Sequence, residues 1–256
     1  GGSGLIGSRL TQQLKNEGIE VVHLTRSANS KNGVKTYVWD WARNKIDERC
    51  FEGVTHIVHL AGEGIADKPW TMERKHNIVK SRVLTARLIE TKVRELNIPI
   101  QAFISASGIG YYGAITTETI FDEASERGND FVAECCVQWE EAADKFSDIC
   151  RVVKFRTGVV LDAKGGAVPK MASPIKKGFG AALGKGTQYM PWIHFEDIVN
   201  MYVEAIKNDA YTGVYNAVSS THTTNLEFTE SMAKSMHKKI RLPNVPAFMM
   251  KFMFGE

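Results

Sequence analysis

The sequence predicts a doubly wound parallel α/β sheet with a small substrate lobe in its C-terminal part. Two observations predict it. A glycine turn, Gly1-Gly2-Ser3-Gly4-Leu5-Ile6-Gly7, opens directly into a helical stretch, and apolar runs of strand length alternate with helical patterns along most of the chain. Such alternation places helices on both faces of the sheet through right-handed crossovers. The length, 256 residues, suits one large domain with an appended lobe.

After the glycine turn, Ile6, Leu10 and Leu14 share one helical face, and Gly18 suits the C-terminal end of that helix. A turn of this type follows a strand, so further residues are expected upstream, which leaves any targeting segment out of view. Residues 19–24 form an apolar run and 34–39 a second strand. The run 56–61 is too apolar for a surface strand and reads as buried on both faces of a parallel sheet. A long helix over 71–96 turns Ile78, Leu84, Leu88 and Val93 inward and stops at Asn97 and Pro99. Then come a strand at 102–105, a helix at 131–146 and a strand at 152–161. Beyond Leu161 glycines and prolines mark a loop-rich segment around Gly165-Gly166, Gly180 and Gly184. A helix at 196–207 and a strand at 213–218 return to the sheet. Thr224-Asn225-Leu226-Glu227 is a capping box opening another helix, and an apolar helix ends the chain. Residues 1–163 are expected to form the nucleotide-binding domain, 164–194 and 219–256 the substrate lobe, with 195–218 rejoining the first domain.

Hydrophobic residues at 43% and charged residues at 24% exclude a disordered or disulfide-stapled chain. The net charge of +3 is scattered, so neither nucleic acid nor a polybasic membrane contact is expected, and no apolar run approaches the ~18 residues of a membrane span. A small-molecule partner is the expectation. Cys50, Cys135, Cys136 and Cys150 include no CxxC, and the adjacent pair inside a helical pattern would make a strained bridge. They read as reduced thiols of a cytoplasmic protein, with a reactive thiol at Cys135 as the alternative; no metal site is expected.

The glycines fit both Gly2-x-Gly4-x-x-Gly7 and Gly1-x-x-Gly4-x-x-Gly7. Glycine permits close backbone approach to a pyrophosphate, and the helix start, at Leu5 and Ile6, supplies free N–H groups and positive dipole. About 20 residues on, an NAD site carries an acid for the ribose 2′-hydroxyl; here the chain reads Leu24-Thr25-Arg26-Ser27. A carboxylate would repel a 2′-phosphate, whereas Arg26 pairs with one and Thr25 adds a hydroxyl. The predicted cofactor is NADP(H).

These residues, with His59-Leu60-Ala61-Gly62 at a strand end, Ser105-Ala106-Ser107 and then Tyr112-Gly113, resemble the extended short-chain dehydrogenase/reductase superfamily with its Rossmann fold. Arg156-Thr157-Gly158-Val159-Val160-Leu161 and Gly184-x-Gly186-x-Gln188-x-x-x-Trp192-Ile193-His194-x-x-Asp197 are similar to an atypical epimerase-like group. Its members carry the name nucleoside-diphosphate-sugar epimerase or, in older usage, cell-division inhibitor. The resemblance implies that Leu60, Ala61 and Gly62, with Glu63 after them, border the cofactor, that Asn77 and Arg82 face it, and that Val160 lies near the nicotinamide. It also implies dimerisation through the long helices.

The superfamily's Tyr-x-x-x-Lys pair is missing. Phe131 and Cys135 stand at the corresponding positions, and none of the seven tyrosines has a lysine four residues on. The polar candidates that remain are Ser107, Tyr111, Tyr112 and Glu63. Each has a bland reading as well: ring packing for the tyrosines, a solvated carboxylate for Glu63, a turn hydrogen bond for Ser107. His194 reads as an interior histidine and Asp197 as a helix cap. Two functions stay open: an NADP(H)-dependent oxidoreductase or epimerase acting on a small polar or nucleotide-sugar-like substrate, or a nonenzymatic NADP(H)-sensing protein.

Overall fold

The computed structural model describes residues 1–27, 33–65, 67–240 and 242–245. Its elements run α1 (Leu5–Asn16), β1 (Val22–Thr25), β2 (Lys35–Asp40), β3 (Lys45–Ile46), β4 (His56–His59), α2 (Met72–Glu95), β5 (Ala102–Gly108) and α3 (Phe131–Asp144). They continue through β6 (Arg151–Thr157), β7 (Val159–Asp162), β8 (Gly165–Gly166), α4 (Ala167–Lys176), β9 (Trp192–His194), α5 (Phe195–Lys207), β10 (Gly213–Ala217) and α6 (Asn225–Ser235). The C-terminal apolar helix anticipated from sequence falls largely on residues outside this description.

Strands β10, β6, β5 and β4 lie side by side in that order, all parallel. β1 and β2 form a second parallel pair edged by antiparallel β3. Successive residues of β5 feed opposite cores, because strand side chains alternate. Phe103 joins Val93, Ile89 and Phe146 on one face, and Ala102 and Ile104 join Val153, Ile198 and Tyr202 on the other. Phe103 stacks on Phe146 with centroids 3.8 Å apart. The sheet is therefore covered on both faces, the doubly wound arrangement, and its strands read as continuous apolar runs for that reason.

Helix boundaries follow their caps. Thr71 accepts from the Arg74 N–H and Asp130 from the Ala133 N–H, opening α2 and α3. Gly18, at φ +79°, closes α1 in the left-handed conformation, and Asn97, at φ +50°, ends α2. The Thr224–Glu227 capping box is complete.

Several expectations change. Leu84 is only half-buried, since Thr85, Ala86, Leu88 and Ile89 occupy the inward stripe of α2. The strand foreseen over 152–161 breaks at Gly158, where a Cβ would stand 2.7 Å from the Pro191 carbonyl oxygen. Before the break the chain pairs with β5 and β10; after it, β7 leaves to pair with β8 and β9. The loop-rich segment contains α4, hidden by its prolines: Pro169 sits in the first turn, where no N–H partner is lost. Among the described residues no helix is long and apolar enough to cross a membrane.

Candidate active site

The glycine turn is built by three backbone segments meeting. Gly4 N–H donates to Gly1 O at 3.0 Å, and Ser8 N–H to Gly4 O at 2.9 Å starts α1. A Cβ on Gly1 would lie 2.2 Å from Leu60 O, one on Gly2 2.5 Å from the His23 ring, and one on Gly7 2.4 Å from Gly1 O. Close approach, not left-handed backbone, therefore demands glycine at these three positions. Gly4 caps α1 without a side chain and the first turn holds no acid, so the N–H groups of Leu5 and Ile6 stay open to an anion. The Leu5 side chain packs under the β7–β8 hairpin, 2.7 Å from where a Gly165 Cβ would be. The small residues Gly165 and Gly166 are what let the hairpin sit on the start of α1.

At the end of β1, Thr25 donates to Ser27 O at 2.6 Å, and Arg26 is exposed with no ion pair among the described residues. Beyond β4, Leu60 is half-buried, Ala61 buried and Gly62 exposed. Arg82 donates to Ile78 O at 2.9 Å and Glu63 O at 3.0 Å and lies 4.8 Å from the Trp139 ring centroid, so it holds the 62–63 turn. Glu63 is not a free carboxylate but the ion partner of Arg74, which also donates to Gly64 O at 2.6 Å. Asn77 is half-buried on α2. Val160 lies in β7 opposite Ile193, off the four-stranded sheet.

Beyond β5 the three hydroxyl candidates meet a buried charge pair. Ser107, 5% exposed, donates to Glu140 Oε1 at 2.7 Å. Glu140 of α3 also takes two bonds from Arg156 of β6, from Nε and Nη2, both at 2.9 Å, with both side chains buried. Arg156 Nη1 donates to the Tyr112 hydroxyl at 3.0 Å, and that hydroxyl lies 2.7 Å from Asn216 Oδ1 and 2.9 Å from Asp122 O. The same guanidinium sits 3.3 Å from the Tyr111 ring centroid. Burial works against the Arg156 charge, but the bonds to Glu140 and Tyr112 outweigh it and hold its pKa above the usual guanidinium value. Burial pushes the Tyr112 phenol up, with Arg156 opposing. Sequence reasoning passed over Glu140 and Arg156 as site residues. The signal available was a pair of charged residues, Lys154 and Arg156, inside an otherwise apolar strand, Val152-Val153-Lys154-Phe155-Arg156, which burial tolerates only when each is paired.

Phe131, where the superfamily has tyrosine, begins α3, its ring edge-on to Trp70 with centroids 5.3 Å apart. Cys135 is buried, and burial pushes its thiol up; the neighbouring Cys136 is pushed up to about 12. Burial thus works against a reactive thiolate here. His194 is exposed, not interior: it caps α5 itself, Nδ1 accepting from Glu196 N–H at 3.3 Å. Asp197 consequently lies within the first turn and is not the cap.

Residues 1–134 match the family model of the NAD dependent epimerase/dehydratase family. The chain belongs to that family. Within the epimerase family, it is 35% identical over 268 residues to the SDR39U1 homolog, chloroplastic, of Arabidopsis thaliana, covering 100% of this chain and 75% of the relative. The structure of human epimerase family protein SDR39U1 with NADPH superposes with a TM-score of 0.85 at 29% identity, over 100% of this chain and 84% of that one. A nucleoside-diphosphate sugar epimerase from Corynebacterium glutamicum gives a TM-score of 0.79 at 32% identity, over 98% of this chain and 53% of that one.

Proposed function

We propose that this epimerase-family chain binds NADP(H) and moves a hydride to or from a small polar, nucleotide-sugar-like substrate. The observation that carries the reading is the end of β1, an exposed Arg26 with no ion pair among the described residues, beside Thr25 and with no acid, together with a glycine cradle in which a Cβ on Gly1, Gly2 or Gly7 would not fit. The cradle suits the group. Gly1, Gly4 and Gly7 with the N–H groups of Leu5 and Ile6 would hold the pyrophosphate, Arg26 the 2′-phosphate, and Leu60, Ala61 and Gly62 the adenosine side. When bound, NADP(H) supplies the hydride. The NADPH carried by human SDR39U1 supports the choice of the phosphorylated form. Ser107, Tyr111 and Tyr112 are the candidate hydroxyls beyond β5 for contact with a carbonyl or carbinol. Calorimetry tests the reading: NADPH binding at least about tenfold tighter than NADH supports it, and equal or stronger NADH binding overturns it.

A second reading, a nonenzymatic NADP(H) sensor, is favoured by Phe131 and Cys135 in place of tyrosine and lysine: phenylalanine has no proton to exchange, and a thiol carries no positive charge. Tight NADPH binding with no turnover of any carbonyl or nucleotide-sugar would select it.

A further inference from the structure

Three hydroxyls cluster beyond β5, and their hydrogen bonds are not equivalent. The Ser107 proton is directed into Glu140, so Ser107 presents only lone pairs elsewhere. The Tyr112 hydroxyl receives Arg156 Nη1 and has Asn216 Oδ1 and Asp122 O within reach of its own proton, so both its roles are taken. Tyr111 differs. It is half-buried, its hydroxyl makes no hydrogen bond with the described residues, and its ring lies against the Arg156 guanidinium. That guanidinium is immobilised by two bonds to Glu140 and a third to Glu123 O at 3.2 Å, beside the one to Tyr112.

We propose that Tyr111 is the group that exchanges the proton, and that Glu140 is a positioning residue, acting through Arg156 beneath the Tyr111 ring and through Ser107. The proposal rests on the oxidoreductase reading above. In the reducing direction the carbonyl carbon accepts a hydride, with its electron pair, from the reduced dinucleotide. The carbonyl oxygen accepts the phenolic proton of Tyr111, giving a carbinol, and solvent returns a proton to the phenolate. The fixed positive charge against the ring face favours the negative charge that develops on the phenolic oxygen. Arg156 thereby supplies the cation that Lys provides in Tyr-x-x-x-Lys, from β6 instead of from α3.

The test combines NADPH consumption with phenanthrenequinone, an activated diketone, and nitration of the apo protein by tetranitromethane followed by peptide mass spectrometry. Tyr111→Phe is expected to lower kcat by about 10²-fold or more with KM and NADPH Kd unchanged; Tyr112→Phe lowers it by less than about tenfold. Tyr111 is nitrated before Tyr112. Glu140→Gln alone strands a buried guanidinium and threatens folding, so the double variant Glu140→Gln/Arg156→Met accompanies it. That variant is expected to regain thermal stability while kcat stays about 10-fold or more below the parent, at unchanged NADPH Kd. Recovery of kcat along with stability would reduce Glu140 to a structural role and overturn its part. Full turnover by Tyr111→Phe, or prior nitration of Tyr112, overturns Tyr111 while leaving the oxidoreductase reading intact. A parent protein that binds NADPH but turns over no carbonyl overturns both.

Discussion

Trp139 of α3 donates its indole N–H to Nδ1 of His59, at the end of β4, across 3.3 Å. That bond fixes the tautomer: the remaining proton is on Nε2, which donates to Thr85 Oγ1 at 2.8 Å, and Thr85 passes its own proton to Ser81 O. Ser81 in turn accepts from the Glu63 N–H. A chain of neutral hydrogen bonds thus ties α3, β4 and α2 to the turn beside the glycine cradle.

This chain makes the fold acid-sensitive. Burial, chiefly, lowers the His59 pKa to about 3, against ~6.5 for an unfolded imidazole. Between those values the unfolded chain binds a proton that the native ring refuses, so stability falls as pH falls, by about 1.4 kcal/mol per unit and about 2 kcal/mol at pH 5. Urea midpoints at pH 7 and pH 5 check it, and His59→Gln is expected to flatten the difference. His23 and His56, also held low by burial, act with the same sign, so some slope persists in the variant.

Gly7→Ala is expected to damage both folding and cofactor binding. The added carbon would press on Gly1 O and Gly2 Cα, which are backbone and have no rotamer to yield. Overpacking of this kind costs about 1–3 kcal/mol. Thermal unfolding reads the loss of stability, and calorimetry an NADPH Kd raised by about tenfold or more. Unchanged affinity would remove the turn from the cofactor site.

Arg26→Asp separates the two dinucleotides. The residue is exposed, so unfolding stability is expected to move by no more than about 0.5 kcal/mol. NADPH Kd is expected to rise about 10- to 100-fold, while NADH binding holds or tightens because a carboxylate can accept from the free 2′-hydroxyl. Parallel weakening of both would contradict 2′-phosphate recognition.

Tyr202→Phe is expected to stabilise the protein. Tyr202 is completely buried between α5 and the sheet, and its hydroxyl has no hydrogen-bond partner among the described residues. Removing a desolvated hydroxyl that has no partner strands nothing and relieves about 1 kcal/mol. The melting temperature should rise by about 2–4 °C; a fall would mean that the hydroxyl has a partner after all.

How much was legible follows from the range of the physics. The apolar runs of the buried strands, the capping box of α6 and the glycine turn are local patterns, and each is readable within a few residues. Helix α4 was not, because prolines and glycines masked a periodicity that packing against Met232 and Ala233 of α6 sustains. The break at Gly158 depends on Pro191, far along the chain, and nothing near residue 158 announces it.

The sequence alone determined the doubly wound fold, the family, the glycine cradle and the basic residue after β1, because these rest on periodicity and short motifs. Only the tertiary structure decided which polar groups are engaged. It turned Arg82 and Glu63 into braces of the turn after β4, and put Glu140 of α3 and Arg156 of β6 beneath the tyrosines after β5. Partners of buried charges are chosen by which strand ends and helix faces come to lie side by side. That choice is made by burial, where an unpaired charge is too costly to persist.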